Sequence, residues 1–159
     1  MRVNEADLDW DVTNHGETGF RRKKLAAAAG GDRLGCSLYE LPPGEKSWPF
    51  HYHTGNEEAM YVLSGTGRLR TDAGTDPVES GDYVVFPVGE AGGHRVVNDG
   101  DDTLRYLALS TMNDPDVTVY PDSGKIGVYA GSPPGSDDPR TVVGYYRRDD
   151  DVDYWLDEA

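Results

Sequence analysis

The chain has 159 residues, which is enough for one compact domain and too few for a second core. It carries 29 acidic against 15 basic residues, a formal net charge of −14 that repels phosphate backbones and excludes general nucleic-acid binding. No run of about 18 apolar residues could cross a membrane as a helix, and a single cysteine, Cys36, excludes an internal disulfide and a thiolate metal cage.

Leu, Ile, Val and Phe together number only 30. Low aliphatic content with high charge is also the signature of disorder, so a fold must be argued from periodic strands. The first thirty-odd residues are polar and read as an irregular arm over 1–35. Their basic run, Arg21-Arg22-Lys23-Lys24, could touch an anion, but reads first as an exposed arm or an edge strand guarded by charge. Ala26 to Ala29 suit one helical turn, which Gly30-Gly31 stops.

From Cys36 the texture changes to short β-like runs: Cys36–Leu41, Ala59–Leu63, Thr66–Thr71, Tyr83–Phe86, His94–Val97, Leu104–Thr111, Val117–Tyr120 and Ile126–Tyr129. Pro42-Pro43-Gly44, Ser64-Gly65, Asp72-Ala73-Gly74, Ser80-Gly81-Asp82 and Asn98-Asp99-Gly100 supply breaks, from residues that tolerate positive φ or bond their own backbone. Many short strands with no helical period predict an all-β sandwich or barrel over 36–130. The tail over 131–159 is turn-rich and acidic. Its clusters Val142-Val143-Gly144-Tyr145-Tyr146 and Tyr154-Trp155-Leu156 are too aromatic for a disordered tail, so it is expected to dock on the barrel or on a partner subunit.

The chemistry lies in four histidines and two glutamates. In an extended His51-Tyr52-His53, alternate side chains share a face, about 6.6 Å apart along the backbone. Glu58 follows before a turn, and His94 arrives on a later strand. Three imidazoles and a carboxylate form a mixed nitrogen and oxygen site suited to one divalent transition metal (Fe, Mn, Ni or Zn) and not to Ca or Mg. Four protein ligands on an octahedral ion leave two open positions, as catalysis needs. His15 stands apart as an ordinary surface residue.

These residues also sit in two spaced motifs. Gly44 is followed by His51, His53, Glu58 and Gly65; Gly81 is followed by Pro87, Gly89, His94 and Asn98. In this the sequence resembles the cupin superfamily over about Cys36 to Thr111. One extra residue precedes His51 and two extra precede His94, in turns where insertion costs little; the second should make Glu90-Ala91-Gly92-Gly93 longer and more flexible. The resemblance implies a cupin-type jelly-roll barrel (a double-stranded β-helix) with a metal at its centre, usually a homodimer. Exposed edge strands point to a partner copy as well.

Glu58 is preferred over Glu57 as the ligand because only it places Gly65 at the motif's distance. Alternation then sends Met60 and Val62 inward with Glu58, and Tyr61 and Leu63 to the other face. Asn98 reads as a turn-closing residue and Cys36 as a small buried hydrophobe. Trp48, Arg68, Arg70 and Tyr106 are candidates to line a pocket for an anionic substrate, and Glu57 and Tyr106 are the only candidates for an acid or base. The expected function is a metal-dependent enzyme acting on a small metabolite, as an oxygenase or as a sugar or organic-acid isomerase. The alternative is a non-catalytic binding or sensor module. Asp-rich clusters such as Asp149-Asp150-Asp151 repel in dilute salt and suggest a high-salt cytoplasm. Acidic residues where a leader peptide needs an apolar stretch give the same location.

Overall fold

A computed structural model describes residues 2–158. Thirteen strands form three hydrogen-bonded groups among the described residues. The first, in the order β1-β2-β3-β10-β5-β8, contains β1 (Asp11–His15), β2 (Thr18–Lys24), β3 (Leu34–Leu41), β5 (Glu58–Ser64), β8 (Tyr83–Phe86) and β10 (Leu104–Thr111). The second, β13-β12-β11-β4, contains β4 (Tyr52–His53), β11 (Asp116–Tyr120), β12 (Lys125–Ala130) and β13 (Val142–Arg147). The third, β7-β6-β9, contains β6 (Thr66–Thr71), β7 (Gly74–Glu79) and β9 (His94–Val97). Every strand pairing is antiparallel, and the whole is the expected all-β cupin jelly roll.

Alternation builds the core. Met60 and Val62 on β5 face inward beside Leu104 and Tyr106 on β10, with Tyr39 and Leu41 on β3 and Leu69, Val78, Phe86 and Val96 closing the cluster. Tyr61 on the opposite face of β5 is exposed. Each fully buried aliphatic side chain stabilises the fold by about 1.5–3 kcal/mol relative to exposure. Asn98, wholly buried, holds the turn before β10: its amide donates to the carbonyls of Leu41 and Asp102, and its Oδ1 accepts the Gly100 N–H.

Two expectations are corrected, the irregular arm and the exposed or edge position of the basic run. The segment over 1–35 is no irregular arm, since β1 and β2 form a hairpin across Gly16-Glu17 and β2 continues the sheet onto β3. The basic run therefore lies on the second strand of the sheet, between β1 and β3, and not on an edge. Arg21 and Lys23 stack over the Trp10 ring, and Lys23 Nζ donates to the Glu5 carbonyl. The strand β7 lies outside the runs expected from the sequence; it contains Pro77 and is the outer strand of its group, where a missing N–H is tolerated. The tail, expected to dock on the barrel or on a partner subunit, docks on the barrel as an added strand, with β13 pairing along β12 from Val142 to Arg147. The helical turn is α1 (Leu25–Ala29), capped by Gly30 in the left-handed region.

Candidate metal centre

Backbone pairing brings the two motifs together. His51 and His94 face each other across an antiparallel bridge, the His51 N–H donating to the His94 carbonyl at 3.3 Å and the reverse bond at 3.0 Å. His53 lies on β4 against Thr118 of β11. Glu58 opens β5 between Phe86 of β8 and Ser110 of β10. The ligand atoms of His51, His53 and Glu58 lie within 4.8 Å of one another. His94, outside that tight trio, brings its Nε2 to 3.5 Å from Glu58 Oε2. The same oxygen stands 3.5 Å from His53 Nε2 and 4.0 Å from His51 Nε2.

Each ring is turned the same way by a bond on its other nitrogen. His51 Nδ1 lies 2.8 Å from the Pro49 carbonyl, His94 Nδ1 2.9 Å from the Gly92 carbonyl, and His53 Nδ1 2.5 Å from Asp116 Oδ2. An acceptor at Nδ1 fixes the N–H there and leaves the Nε2 lone pair bare. Phe86 stacks on His94 at 3.8 Å between ring centroids, and Tyr120 packs over His51 at 5.9 Å. Glu58 Oε2 is buried without any hydrogen-bond partner. A buried carboxylate oxygen left without a donor is costly, and three imidazole lone pairs converging on it offer none. A cation among the four groups would satisfy all of them, so the donor set fits a transition metal.

The electrostatics divide the histidines. Burial, reinforced by the neighbouring imidazoles of His94 and His53, pushes His51 well below the ordinary histidine range. Burial also lowers His94, against the opposing charge of Glu58. Burial would lower His53 too, but the Asp116 hydrogen bond and the charges of Glu58 and Asp116 outweigh it and raise it. Asp116 itself is held below the usual carboxylate range: the His53 bond and charge, with the Gly55 N–H on Oδ1, overcome its burial.

The remaining candidates fall on both sides. Trp48 lines the cleft beside the cluster, its Nε1 donating to the Tyr39 hydroxyl at 3.1 Å. Tyr106 lies in the inner wall, stacked on Tyr39 at 5.2 Å; burial raises its hydroxyl far above the ordinary tyrosine range, so it is no base at neutral pH. Arg68 is exposed and paired with Asp99, and Arg70 is paired with Asp122 over the Phe50 ring, so neither reaches the cleft. Glu57 is exposed on the face opposite Glu58, as strand alternation demands. His15 is exposed, and Cys36 is half-buried in the cleft wall rather than buried. The segment ahead of His94 is wound into a 3-10 turn (Glu90–Gly92) and not a loose loop; a Cβ at Gly92 would stand 1.9 Å from the Pro87 carbonyl oxygen, so the turn closes only on glycine.

Sequence reasoning missed Asp116, Thr118, Tyr39 and Tyr120. No spacing rule marks them, because their roles arise from which strand lies beside which. The cluster opens on a cleft of about 1290 Å³ between β3 and β10 on one side and β11 to β13 on the other, rimmed by α1 and the segment from Gly131 to Arg140.

Residues 37–110 match the cupin domain family. The chain carries a cupin domain. The oxalate-binding protein of Thermotoga maritima is 34% identical over 70 residues, which are 44% of this chain and 55% of that protein, so the chain spans about half the length of this relative. Among solved structures, a candidate sugar phosphate isomerase of Acidithiobacillus ferrooxidans superposes with a TM-score of 0.80 at 29% identity, over 92% of this chain and 90% of that one. The cupin-superfamily sugar phosphate isomerase of Silicibacter pomeroyi gives the same score at 24% identity, over 94% of each chain, a likeness of fold. The cupin match covers β4 to β9, nearly all of β3 and β10, and all four cluster residues, whereas the two solved structures extend the likeness to nearly the whole chain.

Proposed function

We propose that this cupin protein holds one divalent transition metal on His51, His53, Glu58 and His94. We further propose that it acts as an isomerase on a small, oxygen-rich metabolite of the sugar or hydroxy-acid class. The observation that carries the metal is the partnerless buried oxygen of Glu58 facing three imidazoles whose Nδ1 atoms are already engaged. An ion of this class supplies Lewis acidity, polarising a carbonyl and gathering adjacent hydroxyls. The chain's own part is to fix the three rings, to shield one side with Phe86 and Tyr106, and to admit the substrate through the open cleft. The likeness to a candidate sugar phosphate isomerase over nine-tenths of both chains supports the substrate class.

One observation favours a second reading. None of Asp116, Glu57 and Tyr106 serves as an acid or base: Asp116 is committed to His53 and Gly55, Glu57 faces away, and Tyr106 stays protonated. A metal-bound capture module needs no such group, and a relative of this chain is named for binding oxalate. The two readings separate when protein reconstituted in turn with Fe, Mn, Ni and Zn is incubated with aldose phosphates, ketose phosphates and hydroxy acids. Interconversion followed by carbon NMR supports the isomerase. Saturable binding of oxalate or these ligands, without conversion under any metal, supports the capture module.

A further inference from the structure

The cleft is rimmed by more carboxylates than cations, and its three cations are Arg22, Lys24 and Arg140. Two are committed to the rim itself. Lys24 is paired with Asp137, and Arg140 donates to the carbonyls of Ser132, Pro133 and Ser136. Arg22 differs. Its Nε is held at 3.0 Å by Asp11 Oδ2, its Nη1 reaches the Tyr39 hydroxyl only at 3.5 Å, and its Nη2 has no partner among the described residues. The guanidinium lies 5.5 Å over the Trp48 ring, which with Tyr39 borders the inner pocket shared with His51 and Glu58. A guanidinium anchored at one edge, stacked on an aromatic ring and open at the other edge is preorganised for a planar or tetrahedral oxyanion.

We propose that Arg22 is the anion-binding residue of this cleft, taking a phosphate or carboxylate group of the ligand on its free Nη edge while the rest of the ligand reaches the four-residue cluster. The ligand class proposed above is thereby narrowed to anions, and this step rests on reading the cleft as a small-molecule site. It also gives the basic run of β2 the role that Arg68 and Arg70 do not fill. Asp11 holds the same guanidinium and competes with a ligand, so a simple oxyanion is expected to bind weakly.

The test is a titration of ¹⁵N-labelled full chain, freed of metal, with inorganic phosphate and separately with acetate at constant ionic strength. The Arg22 Nε and Trp48 Nε1 signals should shift saturably with at least one of the two anions. Response to phosphate alone assigns a phosphorylated ligand, and response to both admits carboxylates. Arg22→Gln should abolish the Trp48 shift, and Arg22→Lys should weaken it several-fold while keeping the charge. Asp11→Asn, which removes the competing carboxylate, should tighten binding about two- to five-fold. No saturable shift with either anion, an undiminished shift in Arg22→Gln, or weaker binding in Asp11→Asn would overturn the proposal. Because no metal is present, a failure here stays separate from a failure of the isomerase reading, which shows as absent turnover despite intact anion binding.

Discussion

Asp116 touches no ligand-binding face, yet replacing it by Asn should cripple the metal site. Its Oδ2 accepts from His53 Nδ1 at 2.5 Å and its Oδ1 from the Gly55 N–H at 2.8 Å, with the side chain wholly buried. An asparagine of the same shape can keep the Gly55 bond only by turning its NH₂ toward His53. That amide donates, so the imidazole must accept at Nδ1 and carry its proton on Nε2, the atom that faces Glu58. A ligand in the wrong tautomer costs about 10–100-fold in metal affinity, or about 1.4–2.8 kcal/mol. Asp116→Ala adds a different penalty, leaving the half-buried Gly55 N–H without its acceptor and His53 Nδ1 with only the Thr118 hydroxyl at 3.2 Å, at about 1–3 kcal/mol in the metal-free fold. Competition against a chromophoric chelator measures the first effect and urea unfolding of metal-free protein the second. Wild-type metal affinity in a folded Asp116→Asn protein would refute the claim that His53 binds through Nε2 under Asp116's control.

Acidification should destabilise the metal-free protein. His51 and His94 are depressed below the unfolded value of 6.5, so their contribution is present above pH 6.5 and is lost as pH falls through their folded values. His53, which is raised, works in the opposite sense, contributing fully below pH 6.5 and losing its share as pH rises through its folded value. Two groups oppose one, and urea midpoints should drop on going below pH 6.5, with a flatter profile in His51→Asn. Raising KCl from dilute to molar should raise the melting temperature of this −14 chain, at about 2–4 °C per kcal/mol gained; an unchanged or lower value would remove the high-salt reading. Leu104→Ala, at a wholly buried position of the barrel core, should cost about 2–5 kcal/mol in unfolding free energy while leaving chelator competition unchanged.

The barrel was legible in the sequence where strand alternation coincided with turn chemistry. The strands β6, β8, β9 and β10 have the bounds that Ser64-Gly65, Ser80-Gly81-Asp82 and Asn98-Asp99-Gly100 imply. Part of what escaped was hidden by charge. Arg21 to Lys24 read as solvated surface because local composition cannot show that Trp10, Glu5, Asp11 and Glu40 wait beside them. The strand β7 contains Pro77, which its outer position tolerates. The four cluster residues could be read from spacing, since period-two geometry and two fixed turns place them. Asp116 and Arg22 could not, for each acts through a neighbour brought in from 20 to more than 60 residues away. Arg68 and Arg70 failed for the converse reason: β6 turns them outward to Asp99 and Asp122.

Elemental analysis of this chain, stripped with chelator, reloaded and desalted, reads whether the three imidazoles and Glu58 hold an ion. About one transition-metal ion per chain is expected in the wild type, with sharply lower occupancy in His51→Ala, Glu58→Ala and His94→Ala variants that remain folded. A wild type that retains none of Fe, Mn, Ni or Zn, or variants that stay fully loaded, would contradict the four-residue metal site.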